Sequence, residues 1–235
     1  MGDARSAGAD ASCLIICDGS PATLVAVWRE AVCRPGGGDG ELLKPLMWSP
    51  VGLTPAAGGA NDRIAQAAGL DGVVTGGLAA ATEGLSASAL LMAAGEEAAK
   101  RGIGRVVWPV QFGPGNDEQR IGWIADAFDR ALLAARLLSV DTRRASGLNI
   151  VVHTPLAELS DTQLMELAAD LDAPVGLSWW CERQRANASA ASEVCGQCGA
   201  CVRWSAAMRG AGIVAPVAGL PASVLEDKPA VHEPV

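Results

Sequence analysis

The sequence contains no apolar run of the length that a membrane span requires. Hydrophobic residues make up 50% of its 235 residues, but glycine, proline and charged residues divide them into runs shorter than the ~20 residues that cross a bilayer. The first ten residues, MGDARSAGAD, lack the basic-then-apolar order of a secretory leader. We therefore expect a cytoplasmic protein without membrane contact, in which residues 1–10 and 221–235 are flexible tails.

Basic residues are too few for general binding to nucleic acid. The chain has 18 Lys and Arg against 26 Asp and Glu, a formal net charge of -8. Because binding to a phosphate backbone depends on cations that displace counterions, nucleic acid is not an expected partner. Histidine is scarce as well. Neither His153 nor His232 has Cys or Ser neighbours that would indicate nucleophilic catalysis.

The cysteine count argues against a disulfide framework. Seven is an odd number, and paired cysteines are typical of secreted chains. Cys13, Cys17 and Cys33 lie in an apolar early part of the chain and are expected to be buried, inert thiols.

The other four cysteines lie together in the late segment CERQRANASAASEVCGQCGACVRW (181–204). Two CxxC steps share Cys198, so three thiols lie on one tight turn. The intervening loop can bring Cys181 back to this turn, where it completes a tetrahedron of ligands. Four soft ligands in this arrangement predict a structural zinc site, with an iron–sulfur cluster as the alternative. The predicted ligands are Cys181, Cys195, Cys198 and Cys201.

Strand-like and helical segments alternate along most of the chain. Five apolar runs of strand length are each followed by a helical pattern, which predicts an α/β fold with a doubly wound, mostly parallel five-stranded sheet. Residues 117–138 are expected to form a long helix, and the last predicted helix has Ser160 as its N-cap, with Gln163 completing a capping box. The long helix has one apolar face, with Ile121, Ile124, Phe128, Leu132 and Ala135. We expect one α/β domain over 11–174 and a zinc-binding appendage over 175–220.

The late segment resembles the C-terminal half of the 7-cyano-7-deazaguanine synthase (QueC) family. The resemblance covers about 60 residues, from HTPL onward, and consists of a Thr-Pro-Leu after the last strand, a Cys-Gly-x-Cys-x-x-Cys knot and a helix with arginine and a late glycine. The matching positions are Thr154 to Leu156, Cys181, CGQC (195–198), Cys201, Arg203 or Arg209, and Gly210 or Gly212.

This resemblance implies a fold, an activity and partners. The family has an adenine nucleotide hydrolase-like sheet of the PP-loop type and a structural zinc ion. With ATP and ammonia it converts 7-carboxy-7-deazaguanine to the nitrile, a ligase step in queuosine biosynthesis. The resemblance also favours a homodimer. The alternative is a diverged, non-catalytic paralogue that binds a base-like ligand or a protein partner.

The chain departs from the family at the nucleotide loop. The family has Ser-Gly-Gly-x-Asp-Ser after its first strand, a loop that cradles pyrophosphate. This chain has DGSPAT (18–23), in which a carboxylate replaces the first serine. Two further family signatures are missing, an aromatic-Gly-Gln-basic run after strand two and a Gly-Arg-Asn before helix three. These departures lead to the hypothesis that the chain has lost ATP binding. The remaining candidates for nucleotide contact are Asp18, Gly19, Ser20, Thr23, Gly76 and Gly77. The alternative interpretation of Asp18 is that it is the N-cap of the following helix.

The base-like ligand also has candidate contacts. The run QFGPGNDEQR (111–120) follows strand four, where ligands of open sheets bind. Asp117 or Glu118 could accept hydrogen bonds from the edge of a guanine-type base. The alternative is that these acidic residues only stabilise the N-terminus of a helix through its dipole. Trp179 and Trp180 could stack on a heterocycle, or could pack beside the metal. The predicted substrate contacts are Asp117, Glu118 and Trp180.

Overall fold

Five parallel strands form a single sheet at the centre of the molecule. The computed structural model describes residues 11–32, 43–79, 87–114, 117–182 and 194–213. Neighbouring strands are all parallel, in the order β3-β2-β1-β4-β5. The predicted α/β class with a parallel sheet is confirmed. The strands are β1 (Leu14–Ile16), β2 (Leu46–Val51), β3 (Val73–Ala79), β4 (Arg105–Val107) and β5 (Val151–His153).

Helices connect the strands and cover both faces of the sheet. No helix in the described part of the chain is both long and apolar enough to cross a membrane. The predicted capping box is confirmed, because Ser160 and Gln163 exchange side-chain and backbone hydrogen bonds. The helices are α1 (Pro21–Ala31), α2 (Pro55–Ala67), α3 (Ala87–Lys100), α4 (Asp117–Ser146), α5 (Asp161–Asp170) and α6 (Gly199–Gly210).

The alternation of side chains along β1 divides the core into two layers. Leu14 and Ile16 point to the layer that contains α3 and α4. Cys13, Ile15 and Cys17 point to the layer that contains α1, α2, α5 and α6, as expected for residues two apart in a strand. The predicted burial of Cys13 and Cys17 is confirmed, whereas Cys33 lies outside the described residues.

The predicted apolar face of the long helix is wrong. Small side chains turn inward at Ala127, Ala131 and Ala134, whereas Ile121 is 66% exposed and Leu132 is 50% exposed. The close approach of α3 explains this difference. A Cβ atom added to Gly95 of α3 would lie 2.1 Å from a methyl group of Leu138, so there is room only for small residues along much of this contact. Helix α4 also continues to Ser146, beyond the predicted end at residue 138.

Two other local predictions are also corrected. Gly76 and Gly77 were expected at the carboxyl end of the third strand, but β3 continues to Ala79, and Gly76 pairs with Pro50 of β2. The run ANDRIAQAAGL (60–70) predicts a helix that starts at residue 60, but α2 begins five residues earlier, at Pro55. The reason is that the Thr54 side chain accepts a hydrogen bond from the N–H of Ala57 and proline suits the first helical position.

The late cysteine segment lies outside the α/β alternation and packs on the main core. Trp179, Trp180 and the buried side of α6 share one hydrophobic cluster with α1, α2 and α5. The cluster therefore runs across the predicted domain boundary at residue 174. The division of the chain into two domains stays a prediction.

The loop between β1 and α1 is sterically tied to α2, which gives a first test. Gly19 has φ +80°, and a Cβ atom there would lie 2.6 Å from the carbonyl oxygen of Ala57. Gly69 has φ +65° with nothing within 4 Å of the same position. We expect Gly69→Ala to lower the free energy of unfolding by about 1–2 kcal/mol through backbone strain alone. Gly19→Ala should cost about 1–3 kcal/mol more, because overpacking adds to the same strain.

Urea unfolding of the two variants measures this difference. Equal losses of stability in Gly19→Ala and Gly69→Ala would show that α2 does not confine the loop.

Candidate metal centre and cleft

The four predicted cysteine ligands converge on one point. Their sulfur atoms all lie within 4.8 Å of one another. The Sγ atoms of Cys195 and Cys201 are 3.9 Å apart, and those of Cys181 and Cys198 are 4.0 Å apart. Four sulfurs at ~2.3 Å from one zinc ion would be separated by about 3.8 Å in a tetrahedron. Cys181, Cys195, Cys198 and Cys201, hereafter the metal centre, can therefore hold one metal ion, and their spacing is consistent with zinc.

Backbone amides turn toward these sulfurs. The N–H of Cys195 donates to the Sγ of Cys181 over 3.5 Å, and the N–H of Cys198 donates to the Sγ of Cys195 over 3.4 Å. Donors on Gln197 and Cys198 lower the pKa of the Cys195 thiol to about 6. Amide donors favour the thiolate, which is the form that binds metal.

The pKa values of Cys198 and Cys201 are shifted in opposite directions. Burial acts to raise the pKa of Cys198, but backbone N–H groups of Cys201 and Glu182 outweigh it, so the pKa of this thiol is lowered. Burial raises the pKa of Cys201, the innermost ligand. A cation in the centre would favour the thiolate form of all four ligands.

The metal centre is fixed to the sheet by packing and by one backbone hydrogen bond. Cys181 follows two buried tryptophans, and the N–H of Trp179 donates to the carbonyl oxygen of Gly19 over 2.7 Å. Cys198 is the N-cap of α6, and Cys201 lies in its first turn. An ion held here would therefore join the chain after α5 to the start of α6.

A cleft of about 390 Å³ adjoins the metal centre. It lies at the carboxyl ends of β1 and β4, where the order of the strands reverses and ligands of open parallel sheets bind. Its volume is within the range of small-molecule sites. The lining includes residues from β1, the loop after it, the chain after β4, and α6, among them Cys17, Asp18, Ser20, Trp108, Gln111, Trp180, Glu182, Arg203 and Trp204.

Asp18 engages the hydroxyl and amide groups of the loop after β1. Its Oδ1 accepts hydrogen bonds from the N–H of Ser20 at 2.9 Å and from the Thr23 hydroxyl at 2.7 Å. The N-cap of α1 is Ser20, whose side chain accepts from the N–H of Thr23. The alternative interpretation of Asp18 as the N-cap is therefore wrong. The carboxylate instead closes a small ring with the first turn of the helix.

Asp161, Gln111 and Arg203 form a polar cluster beside the cleft that sequence reasoning missed. The Nε2 of Gln111 donates to the carboxylate of Asp161 over 2.8 Å, and Arg203 pairs with the other oxygen of Asp161 over 3.2 Å. Arg203 also stacks on the ring of Trp204 and packs against Gly113, where a Cβ atom would lie 2.5 Å from its guanidinium. Gly113, in the run FGPG (112–115), was the only sequence signal for this contact.

The predicted substrate contacts are not together in the structure. Trp180 is buried and lines the cleft, and its ring N–H has no hydrogen-bond partner among the described residues. Asp117 and Glu118 lie exposed in the first turn of α4, and among the described residues they are not part of the cleft lining. Their role in ligand binding stays a prediction, as does nucleotide contact by Gly76 and Gly77. Asn116 lies outside the described residues.

A comparison with protein families matches the part of the chain that contains the metal centre. Residues 125–212 match the model of the family described as queuosine biosynthesis protein QueC. The match confirms the predicted resemblance over most of α4, β5, α5 and the cysteine segment. The loop that contains Asp18 lies outside the matched residues. No curated protein matches the chain.

The ligand set can be tested by removing one thiol. In Cys198→Ser we expect loss of the bound metal and a fall of several kcal/mol in the free energy of unfolding, since structural zinc contributes on the order of 10 kcal/mol in small zinc domains. Cys13→Ala is the control, because Cys13 is also buried but lies directly before β1 and is not part of the metal centre. Metal content by mass spectrometry and urea unfolding are the measurements. If Cys198→Ser retained as much metal as Cys13→Ala, the site would be refuted.

Proposed function

We propose that the protein binds a planar, deazapurine-like ligand in the cleft and holds a structural zinc ion in the metal centre. The observation that carries this proposal is that the two sites share a wall. Trp180 lines the cleft and precedes the metal ligand Cys181 in the chain, and Arg203 and Trp204 lie on α6, whose N-cap is the ligand Cys198. Because chain neighbours of the metal ligands form this wall, an ion in the metal centre would act on ligand binding through the position of the wall.

The spacing of the sulfurs supports zinc rather than an iron–sulfur cluster. Both metals use four cysteine thiolates. A cluster of several iron and sulfide ions has to fit between its ligands, which requires more space than sulfurs within 4.8 Å of one another leave. One tetrahedral ion fits this space, and zinc has no redox chemistry that could alter the geometry.

The chemistry of the cleft supports a flat, polar heterocycle. Trp108, Trp180 and Trp204 contribute aromatic surface, on which heterocyclic bases stack. The ring N–H of Trp180 is buried, so a ligand that supplies an acceptor would relieve the cost of an unsatisfied donor. The guanidinium of Arg203 also lines the cleft; its Nε is paired with Asp161, and its other N–H groups can donate hydrogen bonds to an acceptor on the ligand.

The loop after β1 supports ligand binding without ATP. In this loop the Thr23 hydroxyl and the Ser20 amide donate to Asp18, so they are already engaged. Asp18 itself lines the cleft as a carboxylate, which would repel the phosphates of a nucleotide. The function that these contacts favour is that of a diverged, non-catalytic relative of the QueC family, active in deazaguanine metabolism as a binding protein.

Calorimetry with 7-carboxy-7-deazaguanine and with ATP tests this function. We expect the deazaguanine to bind and ATP not to bind. Trp180→Phe should weaken deazaguanine binding about tenfold, because it removes the ring N–H and keeps the aromatic surface, a loss of ~1.5 kcal/mol. Trp123→Phe is the matched control, since Trp123 lies on α4 outside the cleft lining. Failure of the deazaguanine to bind would contradict the proposal.

The second candidate is the ATP-dependent ligase itself. The observation in its favour is that the first turn of α1 borders the cleft, with Gly19 in a left-handed conformation and Ser20 as the N-cap. A helix start preceded by such a turn is a common anion site. In this case wild-type protein supplied with ATP, ammonia and 7-carboxy-7-deazaguanine would release AMP. That result would overturn the non-catalytic proposal.

The repulsion by Asp18 can be tested separately. Asp18→Asn removes the charge and keeps an oxygen that accepts from Ser20 and Thr23. If the carboxylate excludes phosphate, this variant should bind ATP at least about tenfold more tightly than the wild type. Two like charges about 4 Å apart repel each other by more than 1 kcal/mol near a protein surface. Asp71→Asn, at an exposed site outside the cleft lining, is the control. Equal ATP binding by Asp18→Asn and the wild type would show that the charge is not what opposes ATP.

A further inference from the structure

The Asp161 carboxylate sets the orientation of two polar side chains in the wall of the cleft. Its Oδ1 accepts a hydrogen bond from the Nε2 of Gln111 over 2.8 Å, and its Oδ2 forms an ion pair with the Nε of Arg203 over 3.2 Å. Gln111 and Arg203 line the cleft, whereas Asp161 is not among the described residues that do so. Only 13% of the Asp161 side chain is exposed. One largely buried carboxylate therefore holds an amide and a guanidinium side by side.

The amide of Gln111 presents its oxygen to a ligand. Its Nε2 faces three acceptors, which are the Oδ1 of Asp161, the carbonyl oxygen of Phe112 at 2.9 Å and the carbonyl oxygen of Leu159 at 3.2 Å. Three oxygens around one end of an amide identify that end as the nitrogen, because an oxygen there would be repelled by all three. No described residue donates a hydrogen bond to the Oε1, which is not buried. Gln111 therefore provides a hydrogen-bond acceptor in the cleft.

Arg203 provides donors on the same wall. Its guanidinium stacks on the ring of Trp204, with the central carbon 5.0 Å from the ring centroid, and its Nη1 packs against Gly113. These contacts and the ion pair with Asp161 fix the position of the group. The structure shows no hydrogen bond from Nη1 or Nη2 to a described residue. Because a guanidinium has five N–H donors and no acceptor, the Nη atoms place donors next to the acceptor of Gln111.

We propose that Gln111 and Arg203 determine which edge of a heterocycle the cleft accepts, and that Asp161 is the residue that positions them. An acceptor beside donors matches a lactam edge, in which a ring N–H is adjacent to a carbonyl group. The ring N–H donates to the Oε1 of Gln111, and the carbonyl oxygen accepts from the guanidinium of Arg203. This inference rests on the proposed binding of a deazapurine-like ligand in the cleft.

A base with a 6-amino group presents the opposite order of donors and acceptors. Its ring nitrogen places a lone pair against the Oε1 of Gln111, and its amino group places N–H donors against those of Arg203. A site built to hydrogen-bond an N–H group rejects an analogue that lacks it, because the polar atoms of the site are then left unpaired. Stacking on the tryptophans does not distinguish the two bases, since both rings are flat. The discrimination therefore depends on the polar cluster.

Competition calorimetry with two ligands that differ only at this edge tests the proposal. The ligands are 7-carboxy-7-deazaguanine and its 2,6-diamino analogue, in which an amino group replaces the 6-oxo group. The wild type should prefer the lactam about hundredfold, and Gln111→Met, which removes the acceptor and keeps the side-chain length, should reduce this preference at least about tenfold. Equal affinity of the wild type for both ligands overturns this inference alone. Failure of 7-carboxy-7-deazaguanine to bind overturns the proposed function and this inference with it.

The same affinity ratio tests the positioning role of Asp161. Asp161→Asn keeps the size of the side chain but leaves one acceptor oxygen for two donors, so Gln111 and Arg203 are no longer both held. We expect the preference for the lactam to fall at least about tenfold. Asp170→Asn, the same change at an exposed site of the same helix outside the cleft lining, should leave the ratio unchanged.

The ratio separates positioning from a general loss of structure. A damaged fold weakens the binding of both ligands alike, whereas loss of positioning changes their order of preference. Urea unfolding of each variant checks that the fold is intact. A lactam preference in Asp161→Asn equal to that of the wild type would show that the carboxylate does not position the two cleft residues, and would overturn this part of the proposal.

Discussion

Convergence of four cysteine sulfurs is the constraint on which the candidate site depends. These sulfurs come from two separate parts of the chain, the turn after α5 and the start of α6, and they lie within 4.8 Å of one another. An ion among them would fix the orientation of α6 and the position of Trp180 together. The N–H of Trp179 connects the same unit to Gly19 in the loop after β1. The metal centre, the cleft wall and the loop after β1 are therefore mechanically connected.

The two halves of the chain give different information about function. The matched family region contains the metal centre, α5 and α6. The loop where that family binds pyrophosphate lies in the other half, and here a carboxylate has taken the hydrogen bonds of its hydroxyl and amide groups. A base-binding surface supported by a metal can persist when nucleotide binding is lost, because the two depend on different residues. This separation is the physical basis of the proposed binding function.

Sequence patterns that depend on local chemistry were sufficient to predict the order of elements. Apolar runs marked the strands, the Ser160 capping box marked a helix start, and the spacing of Cys195 to Cys201 marked the metal turn. Each of these features depends on residues close together in the chain. The parallel sheet followed from the alternation of strands and helices.

Features that depend on distant residues could not be predicted in the same way. The buried face of α4 is decided by Gly95 on another helix, which admits alanines and leaves Ile121 outside. The cluster of Gln111, Asp161 and Arg203 joins three segments, and no periodicity in one segment indicates the others. The exposed apolar residues on α4 were predicted to face the core, because periodicity identifies an apolar face of a helix but not what covers that face.

X-ray absorption at the zinc edge of the purified full chain tests the central claim most directly. The account predicts one zinc ion per chain with four sulfur neighbours at about 2.3 Å. Protein without a bound metal, or a coordination shell that contains nitrogen or oxygen in place of sulfur, would contradict it.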